Sequence, residues 1–138
     1  MDSKIAPLRI FLVEDNPDIR ASLIEHVHEL LPAEVIAWSH SERASVEWLR
    51  EHAREWDVAV VDLFLAQGSG LGVAKSLVHR EKRQKVVIFS NYATPEISRR
   101  CLALKVDAVF DKTNGFDDFT VYMLKLAVEI TRDDIKDA

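Results

Sequence analysis

Val58-Ala59-Val60-Val61-Asp62-Leu63 is the stretch that decides the fold. It is an almost continuous apolar run, rich in β-branched residues, and it ends on an acid. Such runs mark strands buried on both faces, as in parallel sheets covered by helices. A carboxylate at the C-terminal end of such a strand sits at the rim of a sheet, where solvation is incomplete. Ile10-Phe11-Leu12-Val13 is an earlier run of the same kind, and it ends on Glu14-Asp15. If the two strands are neighbours, three carboxylates share one crevice.

Working outward, Leu8–Val13, Glu34–Trp38, Val58–Leu63, Val86–Ser90 and Asp107–Phe110 read as strands. Helix-periodic segments follow each of them. Asn16 is positioned to cap the first, with Pro17 in its first turn. Ser41 opens the second, the third follows Gly70, and Thr94-Pro95-Glu96 starts the fourth. The fifth runs from about Phe116 to Thr131, by the helical spacing of its apolar residues. Five βα units without long linkers or repeats imply a doubly wound parallel sheet. Sites in such folds form outside the C-terminal strand ends, where the strand order reverses. Glu14, Asp15, Asp62, Ser90 and Lys112 each end a strand and are expected at one rim.

The composition fits one soluble domain. The chain has 138 residues, 48% of them hydrophobic and 30% charged. The expected unit is a single domain over residues 1–138, with its core over about 8–131. A net charge of −5 gives no electrostatic case for nucleic acid. Arg99, Arg100 and Lys105 form the one basic candidate, read as a solvated helix face. The single cysteine, Cys101, reads as a packing residue and points to a reducing, cytoplasmic compartment. No signal peptide and no membrane span are evident. The five histidines show no converging ligand spacing and read as surface residues. Trp38, Trp48 and Trp56 are expected to pack around the second βα unit. The fifth helix carries two apolar stripes. Phe116, Phe119, Met123, Leu126 and Ile130 form one; Val121, Leu124 and Val128 form the other. The second stripe is either part of a wide buried face or a patch for a partner or a second copy.

Parallel strands lie roughly 4.8 Å apart, so acids at neighbouring strand ends come within reach of one cation. Mg²⁺ suits them, because it takes oxygen ligands and is held by one or two carboxylates plus phosphate oxygens. Asp62 is then a candidate nucleophile, since carboxylates form aspartyl-phosphates. Lys112 supplies a fixed positive charge for the added oxygens, and Ser90 a hydroxyl donor.

Val13-Glu14-Asp15-Asn16, Val61-Asp62-Leu63 with Gly70-Leu71, Phe89-Ser90 and Phe110-Asp111-Lys112-Thr113 together resemble the receiver domain of two-component response regulators. The resemblance covers essentially the whole chain. It implies a (βα)₅ flavodoxin-like fold with a five-stranded parallel sheet of order 2-1-3-4-5. It implies Asp62 as phosphoacceptor, fed by a histidine kinase or histidine phosphotransfer protein. Asp15, Asp62 and the backbone carbonyl of Phe64 would hold Mg²⁺, with Glu14 assisting. Ser90 would be the switch hydroxyl, and Lys112 the lysine that answers the phosphoryl charge. The output would run through helix 4, strand 5 and helix 5, to a protein target or by self-association. The chain reads as a stand-alone switch rather than an enzyme, because no output segment follows the fifth helix.

The sequence departs from the family pattern in four places. Val109 stands where an aromatic is usual, three residues before the lysine. Thr113 replaces a common proline, and the loop Leu65-Ala66-Gln67-Gly68-Ser69-Gly70 has none. Asn91 stands where a small residue is common. Phe64 and Tyr92, two residues after Asp62 and Ser90, are expected to border the acyl phosphate and obstruct the attacking water. Two other readings fit the residues less fully: a Mg²⁺-dependent phosphohydrolase of the same fold, and a receiver-like module that acts without phosphate.

Overall fold

All five apolar runs form strands. The computed structural model describes residues 7–91 and 93–137, with side chains described through Glu129. The order is β1 (Leu8–Val13), α1 (Pro17–Leu30), β2 (Ala33–Ser39), α2 (Glu42–Glu51), β3 (Val58–Val61), α3 (Gly70–Ser76), β4 (Lys85–Ser90), α4 (Pro95–Ala103), β5 (Ala108–Asp111) and α5 (Phe116–Asp137). The sheet is parallel throughout and ordered β2-β1-β3-β4-β5. Strand order reverses between β1 and β3, which is where such sheets place a ligand crevice. Element ends shift by up to two residues from expectation, and α5 extends six residues past Thr131.

Local chemistry sets the helix starts. Asn16 Oδ1 accepts the amides of Asp18 and Ile19 at 2.9 and 3.0 Å. Ser41, Ser69 and Thr94 cap α2, α3 and α4 through their hydroxyls. Each such cap is worth about 1 kcal/mol. Two cores flank the sheet. Leu12, Leu23, Val60, Phe89, Phe119 and Met123 belong to the one beneath α1 and α5. Phe11, Val61, Val73, Ile88 and Cys101 belong to the one beneath α2, α3 and α4. Cys101 is fully buried, in keeping with a packing role.

The tryptophans do not pack as a group. Trp56 is buried, and Trp48 stacks on Phe11 with ring centres 4.4 Å apart. Trp38 is 49% exposed, with the Arg20 guanidinium 3.7 Å from its ring centre. A bulge in β2 is the cause. The β1 partners jump from Val35 to Ala37, so Ile36 is an extra residue. Val35 then meets the α1/α5 core and Ala37 the opposite one. Trp38 falls on the α1 side of an edge strand, where a long polar side chain covers it instead of the core.

On α5 the two stripes separate. Phe119, Met123 and Leu126 are buried, whereas Val121, Leu124 and Val128 are 40–55% exposed. The second stripe is therefore a surface patch and not part of a wide buried face. Ile130 lies outside the residues whose side chains are described. Arg99, Arg100 and Lys105 are exposed, as expected of a solvated face.

Candidate functional site

The β1–β3 pairing carries the acids to one rim. Val13 pairs with Val61, and the ladder continues as the Asp62 amide donates to the Val13 carbonyl at 3.0 Å. The Lys112 amide likewise donates to the Ser90 carbonyl at 3.1 Å, extending β4–β5. Strand pairing alone thus sets Glu14 beside Asp62 and Lys112 beside Ser90.

Glu14, Asp15 and Asp62 each offer an oxygen within 4.8 Å of the others. Lys112 reaches across β4 into this cluster. Its ammonium donates to Glu14 Oε1 and, at 3.2 Å, to Asp62 Oδ2. The Lys112 side chain is only 10% exposed, Asp62 12% and Glu14 2%. Burial raises the Glu14 pKa above its ordinary value, and the Asp62 charge adds to the rise; Lys112 opposes both. The Asn16 amide also donates to Glu14, at 3.2 Å. Lysine is therefore the local counter-charge of an otherwise like-charged crevice.

Ser90 completes the rim. It is fully buried, and its Oγ has no hydrogen-bond partner among the described residues. A buried hydroxyl without a partner is disfavoured by about 1–3 kcal/mol, which suits a group reserved for an incoming acceptor. Phe64 follows on the exposed loop, with its amide 3.4 Å from Asp62 Oδ1 and its side chain half exposed. The donor set fits Mg²⁺: three hard carboxylates with a lysine to one side.

Sequence reasoning missed three supporting contacts. Arg20 donates to the Glu14 carbonyl at 3.0 Å. The Ala66 amide donates to Asp15 Oδ2 at 2.6 Å. Glu42 accepts the Ser69 amide at 2.8 Å. Only the first had a signal, since Arg20 faces back along α1 toward its start. The Asp111 carboxylate, at the end of β5, accepts the Thr113 amide through Oδ1 at 2.6 Å. Val109 packs in the α2/α3/α4 core, and Phe110 packs on the other side against Phe119 and Tyr122. Phe110 therefore cannot replace an aromatic at position 109. Tyr92 lies outside the described residues. Among the described residues no histidine joins the acid cluster: His28 Nε2 accepts the Val35 amide, and His26 reaches from α1 to Thr120 and Phe116 on α5.

The sequence profile of the response regulator receiver domain matches residues 10–123. The chain belongs to the response regulator receiver domain family. As a receiver domain it is a signalling module of two-component systems. Solved structures share its fold at low identity. A DNA-binding response regulator of the LuxR family from Staphylococcus aureus superimposes with a TM-score of 0.76 at 17% identity, over 87% of this chain and 98% of that one. The response regulator domain of Thermotoga maritima CheB gives 0.74 at 16%, over 91% and 97%. The non-phosphorylated HemR receiver domain from Leptospira biflexa gives 0.75 at 22%, over 87% and 94%. A search of curated protein sequences returns no match. Among the described residues, no helix of this receiver domain is long and apolar enough to cross a membrane.

Proposed function

We propose that this receiver domain is a phosphorylation-controlled switch, a single domain in which Asp62 accepts a phosphoryl group from a phosphohistidine. The donor is a histidine kinase or a histidine phosphotransfer protein. One observation carries the reading: Asp62 is paired with Lys112 on a rim that also holds the buried, unpartnered Ser90 hydroxyl.

An Asp62 oxygen attacks the phosphorus; the P–N bond of the donor breaks and its imidazole nitrogen takes up a proton. The new acyl phosphate brings about −1.5 to −2 charges and strong acceptor oxygens. Lys112 has three ammonium donors, two of them already directed at Glu14 and Asp62. It can turn toward a phosphoryl oxygen without leaving the crevice. Ser90 Oγ donates to another and gains the partner it lacks. Asp15, Asp62 and the Phe64 carbonyl are the residues to hold Mg²⁺, with Glu14 assisting through water. When bound, that ion neutralises charge on the transferring group.

The phosphoryl group acts only as far as it prefers one of two conformations. Ser90 ends β4, so its move toward the phosphoryl group is passed to that strand, and Val109 leaves no aromatic at its position to turn inward. The output surface is the α4–β5–α5 face. On it α4 exposes Leu102, and α5 exposes Val121, Leu124 and Val128, apolar residues that suit a protein partner or a second copy.

Incubation with a small acyl phosphate and Mg²⁺, followed by intact mass, tests the reading. A lasting phosphoryl increment that Asp62→Asn loses supports the switch. Rapid turnover with release from unrelated phosphomonoesters indicates a phosphohydrolase. Absence of any Asp62-dependent chemistry indicates a module that acts without phosphate.

A further inference from the structure

The β3–α3 loop, residues 62–69, borders the acid cluster and lacks the rigidity that a proline would lend. Something else must fix it. Its Ala66 amide donates to Asp15 Oδ2 at 2.6 Å, a bond that a proline at this position could not make. At its far end the loop is fastened to Glu42, the first residue of α2. The Glu42 amide donates to the Gln67 carbonyl at 3.1 Å, and Glu42 Oε1 accepts the Ser69 amide at 2.8 Å. The neighbouring residue Ser41 forms a parallel bridge with Gln67.

Two glycines are moulded to the same side chain. Gly68 has φ +92°, and a Cβ there would overlap Glu42 Cβ. A Cβ on Gly72 would overlap the Glu42 carboxylate. An acid in the first turn of a helix is favoured by the helix dipole in any case. That effect explains neither the reach to Ser69 nor the two glycines that make room for it.

We infer that Glu42 is a positioning residue for the acid cluster: by holding the backbone at residues 67–69, it holds the Ala66 N–H on Asp15. That bond engages Oδ2 and leaves Oδ1 as the Asp15 oxygen without a hydrogen bond among the described residues, available to a cation. The inference rests on the phosphoacceptor reading above, in which Asp15 is a metal ligand. Outer partners of a metal ligand commonly change metal affinity by about 10–100-fold.

Amide NMR spectra of the metal-free protein, followed by titration with Mg²⁺ alone, test it. In the wild type the Ala66 amide proton lies downfield, as a short bond to a carboxylate requires. Glu42→Ala is expected to move it upfield and to weaken Mg²⁺ binding by about tenfold. Glu42→Gln, which keeps an acceptor oxygen, is expected to restore both. Ala66→Pro deletes the N–H directly and is expected to weaken Mg²⁺ to a similar degree while leaving the Ser69 amide shift in place. If Glu42→Ala fails to fold, the other two variants decide. Unchanged Mg²⁺ affinity in variants that have lost the Ala66 bond would overturn the inference and leave Glu42 a purely structural staple. A wild type that binds no Mg²⁺ would overturn the phosphoacceptor reading, and this inference with it.

Discussion

Replacing Lys112 by methionine removes the only ammonium that meets both Glu14 and Asp62 among the described contacts, while keeping most of the apolar stem. Glu14 is left 2% exposed and without the ammonium that pairs with its carboxylate. Removing one partner of a buried ion pair typically costs about 3–5 kcal/mol, because the other charge stays behind. Asp62 lies nearer solvent, and Glu14 can escape by taking up a proton, so the lower end applies. Protonation costs about 1.4 kcal/mol for each pH unit above the pKa. The sign follows from the direction of the shift. Burial raises the folded Glu14 pKa above its ordinary value of 4.5, and losing Lys112 raises it further. The contribution of such a group is fully present below the unfolded pKa and is lost as pH rises through the folded one. Lys112→Met should therefore destabilise by about 3 kcal/mol at pH 8 and by only about 1 kcal/mol at pH 5. Urea unfolding in EDTA, followed by tryptophan fluorescence, measures both. Adding Glu14→Gln should recover most of the loss at pH 8. An equal loss at both pH values, or a larger one at pH 5, would mean that Lys112 does not stabilise an ionised Glu14.

Three further outcomes follow from the same geometry. Ser90→Ala removes a buried hydroxyl that has no partner, so the unphosphorylated protein should gain about 1 kcal/mol in urea melts even as phosphoryl uptake falls; a loss of that size would contradict the orphan state. Phe64→Asn should shorten the lifetime of the phosphoryl group several-fold, read by intact mass over time, because it removes apolar bulk at the mouth of the crevice; an equal or longer lifetime sinks that role. The Tyr122 phenol is pushed up to about 12, first by burial and then by the charges of Asp107 and Glu129. Its stabilising contribution is whole below pH 10 and is lost as pH rises through 12, so phenolate absorbance should show a late step that Tyr122→Phe abolishes. A Tyr122-dependent step centred at the ordinary phenol pKa of 10 would speak against it.

The fold was legible because its decisive elements are local. Val58–Val61 has no polar face, so it had to be a central strand, and Asn16, Ser41 and Thr94 announce helices by capping chemistry. The rim was legible for a related reason. A parallel sheet puts every strand end on one side, so Glu14, Asp62, Ser90 and Lys112 needed only the strand order to meet. What stayed hidden depends on non-local geometry. The bulge at Ile36 decides which way Trp38 faces, and nothing in the β2 sequence marks it. Whether Phe110 or Val109 faces α5 depends on a single-residue choice of register at the end of the sheet. The Glu42–Ser69 bond joins two loops through a side chain and a backbone amide, a pairing that has no sequence pattern.

In the proposed switch the carboxylate of Asp62 becomes an acyl phosphate. Borohydride reduces an acyl phosphate to the alcohol, so reduction after incubation with a phosphodonor and Mg²⁺ leaves homoserine where an aspartate carried the phosphoryl group, and the longer amino alcohol where a glutamate did. Peptide mass mapping should place homoserine at position 62 and nowhere else. Homoserine at position 15, the longer glutamate-derived amino alcohol at position 14, or no reduced residue after full incubation would rule Asp62 out as the sole phosphoacceptor.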